Sequence, residues 1–215
     1  MIMASALCVM TSCANSVSVE KIQEYEAQPF AKIEMEGVGN IIYTQADQYS
    51  IRAEGDSTLI AHTVLKFEDD CLKIDQTTTK NNKGSVNYYI SAPTLTRVES
   101  DGVGSFEAKQ AVNFANDFEF DSEGVGSVKI SDLTCKNLKF HQEGVGASEL
   151  KVKCQKAVVS SEGVGACKIE IVADSLDLTN EGVGACKVKG HVKTYSCHGG
   201  GITSKINDKN LKVGE

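Results

Sequence analysis

The most conspicuous candidates for chemistry are six copies of an acidic residue followed by Gly-Val-Gly, at Glu36, Asp101, Glu123, Glu143, Glu162 and Glu181 of a 215-residue chain. Carboxylates stacked at equal intervals repel one another, and a divalent cation such as calcium, which takes about six to eight oxygen ligands, could hold them together. The residues after each second glycine argue against this. They are Ser105, Ser127, Ala147, Ala166 and Ala185, where a calcium-binding glycine-rich nonapeptide needs aspartate, and the spacing is about twice too long. The carboxylates therefore read as solvated groups at an exposed corner, neutralised by nearby lysines, and no metal or other cofactor is expected. A phosphate-cradling role for the glycines would need a helix to follow them, and no window has helical periodicity.

Cysteine is the other residue type that could be chemical. Cys167 and Cys186 occupy the same repeat position, as do Cys135 and Cys154. Three readings are open: a buried aliphatic-like ladder, a disulfide or a metal site. The ladder is preferred, because free cysteine behaves as a small hydrophobe and neighbouring parallel rungs direct their side chains poorly for a disulfide. Cys71 and Cys197 have no evident partner, and His141, His191 and His198 are scattered. A polysaccharide lyase needs a basic group beside the acidic sugar, and a hydrolase needs two carboxyls at a fixed separation. With two arginines, Arg52 and Arg97, and no cluster of unlike carboxylates, the chain is expected not to be an enzyme. Sugar binding without catalysis usually uses exposed aromatics; there is no Trp, but Tyr88 and Tyr89 are candidate ligand contacts.

The elements that position these residues follow from the repeat. The last five acidic residues are separated by 22, 20, 19 and 19 positions, and a degenerate copy, His198-Gly199-Gly200-Gly201, follows. Before each corner, apolar residues alternate with polar ones, as in Phe118-Glu119-Phe120 and Leu138-Lys139-Phe140. After it they alternate again, as in Val128-Lys129-Ile130 and Cys167-Lys168-Ile169. Period two marks strands with one buried face. Units of about 20 residues with short strands cannot bury that face alone and must stack. A leucine-rich horseshoe would show its own leucine pattern and an asparagine ladder, and neither is present. The sequence therefore predicts an all-β chain with a parallel β-helix. Gly37, Gly39, Gly102, Gly104, Gly124, Gly126, Gly144, Gly146, Gly163, Gly165, Gly182 and Gly184 act as structural turn residues, supplying positive φ or close rung approach. The valines between them are expected to stack inside.

Between Glu36 and Asp101 lie about three periods, holding either degenerate rungs or an inserted unit. Strand-like segments such as Ile41–Thr44, Leu65–Phe67, Cys71–Ile74 and Val86–Ile90 are separated there by Glu68-Asp69-Asp70 and Asn81-Asn82-Lys83-Gly84, both read as hairpin turns. This part is expected to be a cap, or a wider first section of the same solenoid, that closes an edge open to aggregation.

A net charge of −7 leaves no footprint for nucleic acid. At the N-terminus, MIMASALCVMTSC is a short apolar run ending in Cys13, similar to the end of a bacterial lipoprotein signal in which that cysteine is lipidated. The expected map is a signal-like segment over 1–13, a tether over 14–27, the β-rich section over 28–94 and β-helix repeats over 95–215. A lipid membrane would be reached through the N-terminal anchor.

Gly37-Val38-Gly39-Asn40, the strand-rich section ending in Tyr89-Ile90-Ser91-Ala92-Pro93-Thr94-Leu95, and the serial Gly-Val-Gly turns together resemble the putative auto-transporter adhesin, head GIN domain family. The resemblance covers about residues 28 to 205. It implies a right-handed β-helix and a binding role in the cell envelope, as an outer membrane lipoprotein on its periplasmic or its external face, with a protein or glycan partner. It supplies no catalytic residues.

Overall fold

The computed structural model describes residues 19–76, 84–199 and 204–214, so Cys13 and the signal-like segment lie outside the described residues. Almost everything described is strand. The elements are β1 (Glu20–Tyr25), β2 (Lys32–Glu36), β3 (Asn40–Gln45), β4 (Ser50–Asp56), α1 (Ser57–Ala61), β5 (Thr63–Glu68), β6 (Cys71–Gln76), β7 (Val86–Ala92), β8 (Arg97–Ser100) and β9 (Val103–Ala108). They continue as β10 (Val112–Asn113), β11 (Phe118–Ser122), β12 (Val125–Thr134), β13 (Asn137–Gln142), β14 (Val145–Lys153), β15 (Lys156–Ser161), β16 (Val164–Asn180), β17 (Val183–Gly199) and β18 (Ser204–Val213).

The glycine-cornered repeats coil into a parallel β-solenoid of about six turns. Strands after the corner form one ladder, β9–β12–β14–β16–β17, in which Val103, Val125, Val145, Val164 and Val183 pair in register. Strands before the corner form a second, β8–β11–β13–β15–β16, which pairs Val98, Phe120, Phe140, Val159 and Leu178. The inward positions are fully buried, and Phe106, Phe120 and Phe140 continue from Tyr43 as a column of rings with centroids 5.2 to 6.4 Å apart. Alternation of large apolar and polar side chains lets each rung bury one face on the next, which a lone rung cannot do.

The order of the first rungs is not the order of the chain. β2 pairs in parallel with β8 on one side and with β6 on the other; β3 pairs likewise with β9 and β7. The 65-residue gap thus holds an excursion that lays a rung, β6 and β7, on the outer side of the first motif. Antiparallel strands then cover that rung: β5 lies on β6, β4 on β7 and β1 on β4. The Glu68-Asp69-Asp70 turn is a hairpin, with φ of 52° and 63° at Asp69 and Asp70, the left-handed pair that two-residue hairpins require. Asn81, Asn82 and Lys83 of the second expected hairpin turn lie outside the described residues; the strands on either side of it do not pair with each other, β6 being flanked by β2 and β5 and β7 by β3 and β4. The expected tether is also partly structured, since Glu20–Tyr25 is β1.

Gln76 replaces the missing glycine motif on the end rung. Its Oε1 accepts from the Val38 amide at 2.9 Å and its Nε2 donates to the Val38 carbonyl at 2.8 Å, so one side chain supplies the two hydrogen bonds a neighbouring strand would make. The five-residue helix α1 starts on Asp56, whose Oδ1 accepts from the amides of Thr58 and Leu59 at 2.8 and 3.1 Å.

Candidate binding surfaces

Each corner glycine sits at an inward position where two rungs nearly touch. A Cβ on Gly102, Gly124, Gly163 or Gly182 would run into the carbonyl oxygen of the equivalent glycine one rung back, Gly37, Gly102, Gly144 or Gly163. The same holds for Gly104, Gly126, Gly146, Gly165 and Gly184 along the second column, and for Gly144 against Gly124. Gly39 is filled from the end rung, a Cβ there lying 2.6 Å from Cε2 of Tyr88. Close approach is thus the common reason for glycine, and backbone conformation adds to it at Gly37 (φ 133°) and Gly144 (φ 114°). The tight corner keeps the ladder intact: the amides of Val103, Val125, Val145, Val164 and Val183 each donate to a glycine carbonyl of the rung before, at 2.7 to 3.1 Å.

The valines themselves do not stack inside. Val103, Val125, Val145, Val164 and Val183 are 50 to 52% exposed and form a column on the outer surface. The alternation on either side of the corner runs through it without a slip, which puts glycine in and valine out. The acidic residues are exposed beside them. Asp101 has its pKa raised, first by burial and then by Glu99, Glu123, Asp121 and Glu36. Among the described residues no cluster of three or more His, Cys, Asp or Glu side chains could hold a metal ion.

The six described cysteines are free thiols. Cys167 and Cys186 are register partners and both buried; Cys135 is buried and Cys154 half-buried. Cys186 holds its proton tightly, through its hydrogen bond to the Cys167 sulfur and through burial. Cys197, the exposed one, lies beside His198, whose Nε2 is 2.9 Å from the Ser196 hydroxyl.

The two candidate tyrosines divide. Tyr88 is fully buried over Gly39, and its hydroxyl is engaged with Thr63 Oγ1 at 2.8 Å and Gln76 Nε2 at 3.0 Å. That removes it as a ligand contact: β7 belongs to the end rung of the solenoid, and Tyr88 is one of its inward residues, which fill the core. Tyr89 points outward and is half-buried, with the Arg52 guanidinium 4.6 Å from its ring centroid.

A different surface has the character of a binding site. A shallow trough crosses the rungs where β8, β11, β13 and β15 begin, over the edges of Phe118 and Leu138. Its charged lining is five basic residues, Lys32, Arg97, Lys136, Lys139 and Lys156, against two acidic ones, Asp117 and Glu119. Glu119 is clamped, with Lys139 Nζ at 2.6 Å and Arg97 Nη1 at 3.5 Å, and the Lys139 contact above all lowers its pKa. Asp117 accepts from Asn137 Nδ2 at 2.8 Å. Lys136 and Lys156 are exposed and make no ion pair among the described residues. A net-basic trough on a chain of charge −7 is a local inversion of sign. Sequence reasoning missed it because Lys32, Lys139 and Lys156 lie on different strands and Lys136 just before one, at positions that share no motif and that only stacking brings together.

The model of the family described as "Putative auto-transporter adhesin, head GIN domain" matches residues 29–188. A putative adhesin of Bacteroides fragilis is 25% identical, with a TM-score of 0.71 over 89% of this chain and 98% of that one. Two structures from Parabacteroides distasonis share the fold: a putative adhesin (13% identity, TM-score 0.57, covering 91% of this chain and 97% of that one) and a putative lipid binding protein (14%, 0.55, 91% and 97%). No curated protein sequence matches the chain.

Proposed function

The chain belongs to the head GIN domain family of putative auto-transporter adhesins, and from that premise we propose that it is a non-enzymatic binding module of the cell envelope, anchored by lipid at Cys13, that holds an anionic glycan in its basic trough. The observation that carries this reading is the sign inversion. Because the rungs repeat at about 4.8 Å, an extended polymer laid along the rod crosses a new strand at every step, and the side chains it meets differ from rung to rung. Lys136 and Lys156, exposed and without an ion pair among the described residues, offer charge-assisted hydrogen bonds to carboxylate or sulfate groups, while Lys139 and Arg97, held by Glu119 and Glu99, flank them.

The same residues speak for binding without turnover. Glycoside hydrolysis needs a carboxyl whose pKa is raised so that it can donate a proton. Glu119 is shifted the opposite way by Lys139 and Arg97, and Asp117 is occupied by Asn137. A trough open along its length also suits a long polymer better than an enclosed cavity would.

The test is an array of neutral and acidic glycans, probed with the full chain and with a Lys136→Glu/Lys139→Glu/Lys156→Glu variant. Binding is expected on acidic glycans, weakening with salt and lost in the variant. Equal binding by the variant, or preference for neutral glycans, would overturn the assignment. Anchoring is tested separately by metabolic labelling with a fatty-acid analogue, which should mark the chain and not Cys13→Ala.

A further inference from the structure

The outer face that leads away from the glycine corner is ordered in columns. First come the exposed acidic residues Asp101, Glu123, Glu143, Glu162 and Glu181; two residues on stand the half-exposed valines. Two further on are the small residues Ser105, Ser127, Ala147, Ala166 and Ala185, and beyond them Glu107, Lys129, Glu149, Lys168 and Lys187, all in unbroken parallel register. Where that last column holds a glutamate, the next outward position is lysine, Lys109 or Lys151. Three of the five rungs therefore read acid, valine, small residue, lysine; the other two, those of Asp101 and Glu143, hold a glutamate in the fourth column and their lysine one step further out, Lys109 being paired with Glu107 at 3.3 Å.

This pattern is self-complementary about one axis. A twofold parallel to the rod, passing between the valine and small-residue columns, sets each valine over the small residue of the same rung in a second molecule. The same rotation sets the acidic column of each molecule against the fourth column of the other. Glu123 faces Lys129, Glu162 faces Lys168 and Glu181 faces Lys187, whereas Asp101 faces Glu107 and Glu143 faces Glu149, with Lys109 and Lys151 at the edge beside them, so three rungs attract and two do not. A twofold perpendicular to the rod would instead oppose acid to acid and lysine to lysine. We propose that this face is a self-association surface on which a second copy of this chain docks with the two rods parallel.

Five rungs at about 4.8 Å and four columns at about 7 Å give roughly 650 Å² per partner, somewhat below the ~800 Å² of a standard stable complex. The dimer is therefore weak and reversible in solution. Parallel rods bring both N-terminal strands to the same end, so the pair fits on a single surface. The trough lies on a different face and stays open in the dimer.

Sedimentation equilibrium on the full chain tests this, alone and with two charge-reversed variants, Glu123→Lys/Glu162→Lys/Glu181→Lys and Lys129→Glu/Lys168→Glu/Lys187→Glu. All the substituted side chains are exposed, and circular dichroism confirms folding. The wild type is expected to dimerise reversibly and less so in high salt. Each variant alone should associate at least about tenfold more weakly, since it opposes like charges, and an equimolar mixture should regain the dimer as a heterodimer. A wild type that stays monomeric at about 1 mM, the weak end of measurable association, overturns the proposal. So do a trimer or an open-ended polymer, single variants that dimerise as the wild type does, or folded variants whose mixture does not associate.

Discussion

Replacing Gly146 by alanine adds one methyl group at the place where two rungs come nearest. The new carbon would collide with the Gly126 carbonyl oxygen and lie 2.7 Å from its carbonyl carbon, against about 3.5 to 4.0 Å for an ordinary carbon contact. The obstacle is backbone, so no side-chain rotation relieves it, and the rungs must part by roughly 1 Å. That strains the ladder bond joining the same two rungs beside it, Val145 to Gly124 at 3.1 Å. Losing that bond, worth about 1 kcal/mol, with an overpacking cost of about 1 to 3 kcal/mol, gives a loss of roughly 2 to 4 kcal/mol. For a chain of this size each kcal/mol lowers Tm by about 2 to 4 °C, so thermal unfolding followed by circular dichroism should show a drop of about 5 to 15 °C. Val145→Ala, which trims an exposed side chain, should cost no more than about 0.5 kcal/mol. If Gly146→Ala melts within about 2 °C of the wild type, the close-approach explanation of the motif is wrong.

Three other outcomes follow from named contacts. Gln76→Leu removes both hydrogen bonds to Val38 and the one to Tyr88, and should destabilise the chain by about 2 to 3 kcal/mol, read by chemical denaturation; an unchanged midpoint would show that Gln76 is not what closes the corner. Asp101 has a folded-state pKa raised above its unfolded value, so its charge is a penalty that is present above the folded pKa and released as pH falls through it. Asp101→Asn should therefore raise Tm at pH 7, with a gain that vanishes in acid, and a gain independent of pH would refute the assignment. Alkylation of the folded chain should modify exposed Cys197 rapidly and spare Cys167 and Cys186 until denaturant is added; equal rates would mean the rungs open easily.

Much of the solenoid is legible in the sequence because its signals are local and repeated. Phe118-Glu119-Phe120 and its counterparts show which side of each strand is buried, and the equal spacing of Gly-Val-Gly shows that the corners coincide. Even the outward valines were readable, since counting by twos from Lys129 or Lys168 back through Ser127 or Ala166 reaches Val125 and Val164. Expecting them inside gave valine's hydrophobicity precedence over the phase of the strand. The rung order was not legible. Nothing local in Cys71–Gln76 or Val86–Ala92 says that these strands flank Lys32–Glu36 and Asn40–Gln45, because parallel pairing at such separation leaves no turn residue to mark it. Tyr88 was misjudged for the same reason: adjacent tyrosines on a strand face opposite ways, and only the placement of β7 decides which is buried. Among functional features, the trough left no trace in the sequence, because it arises from side chains that only stacking brings together.

Rung order is the claim on which the trough, the valine face and the corner energetics all depend. Spin labels carried on bio-orthogonal side chains at Val38 and Val183 measure it directly. With β2 and β3 set against β8 and β9, the two sites are five rungs apart, or about 24 Å along the rod before the label linkers are added. Were the 65-residue excursion threaded between them as about two further rungs, the separation would approach about 34 Å. A distance distribution centred near the shorter value is expected, and one near the longer value would contradict the architecture.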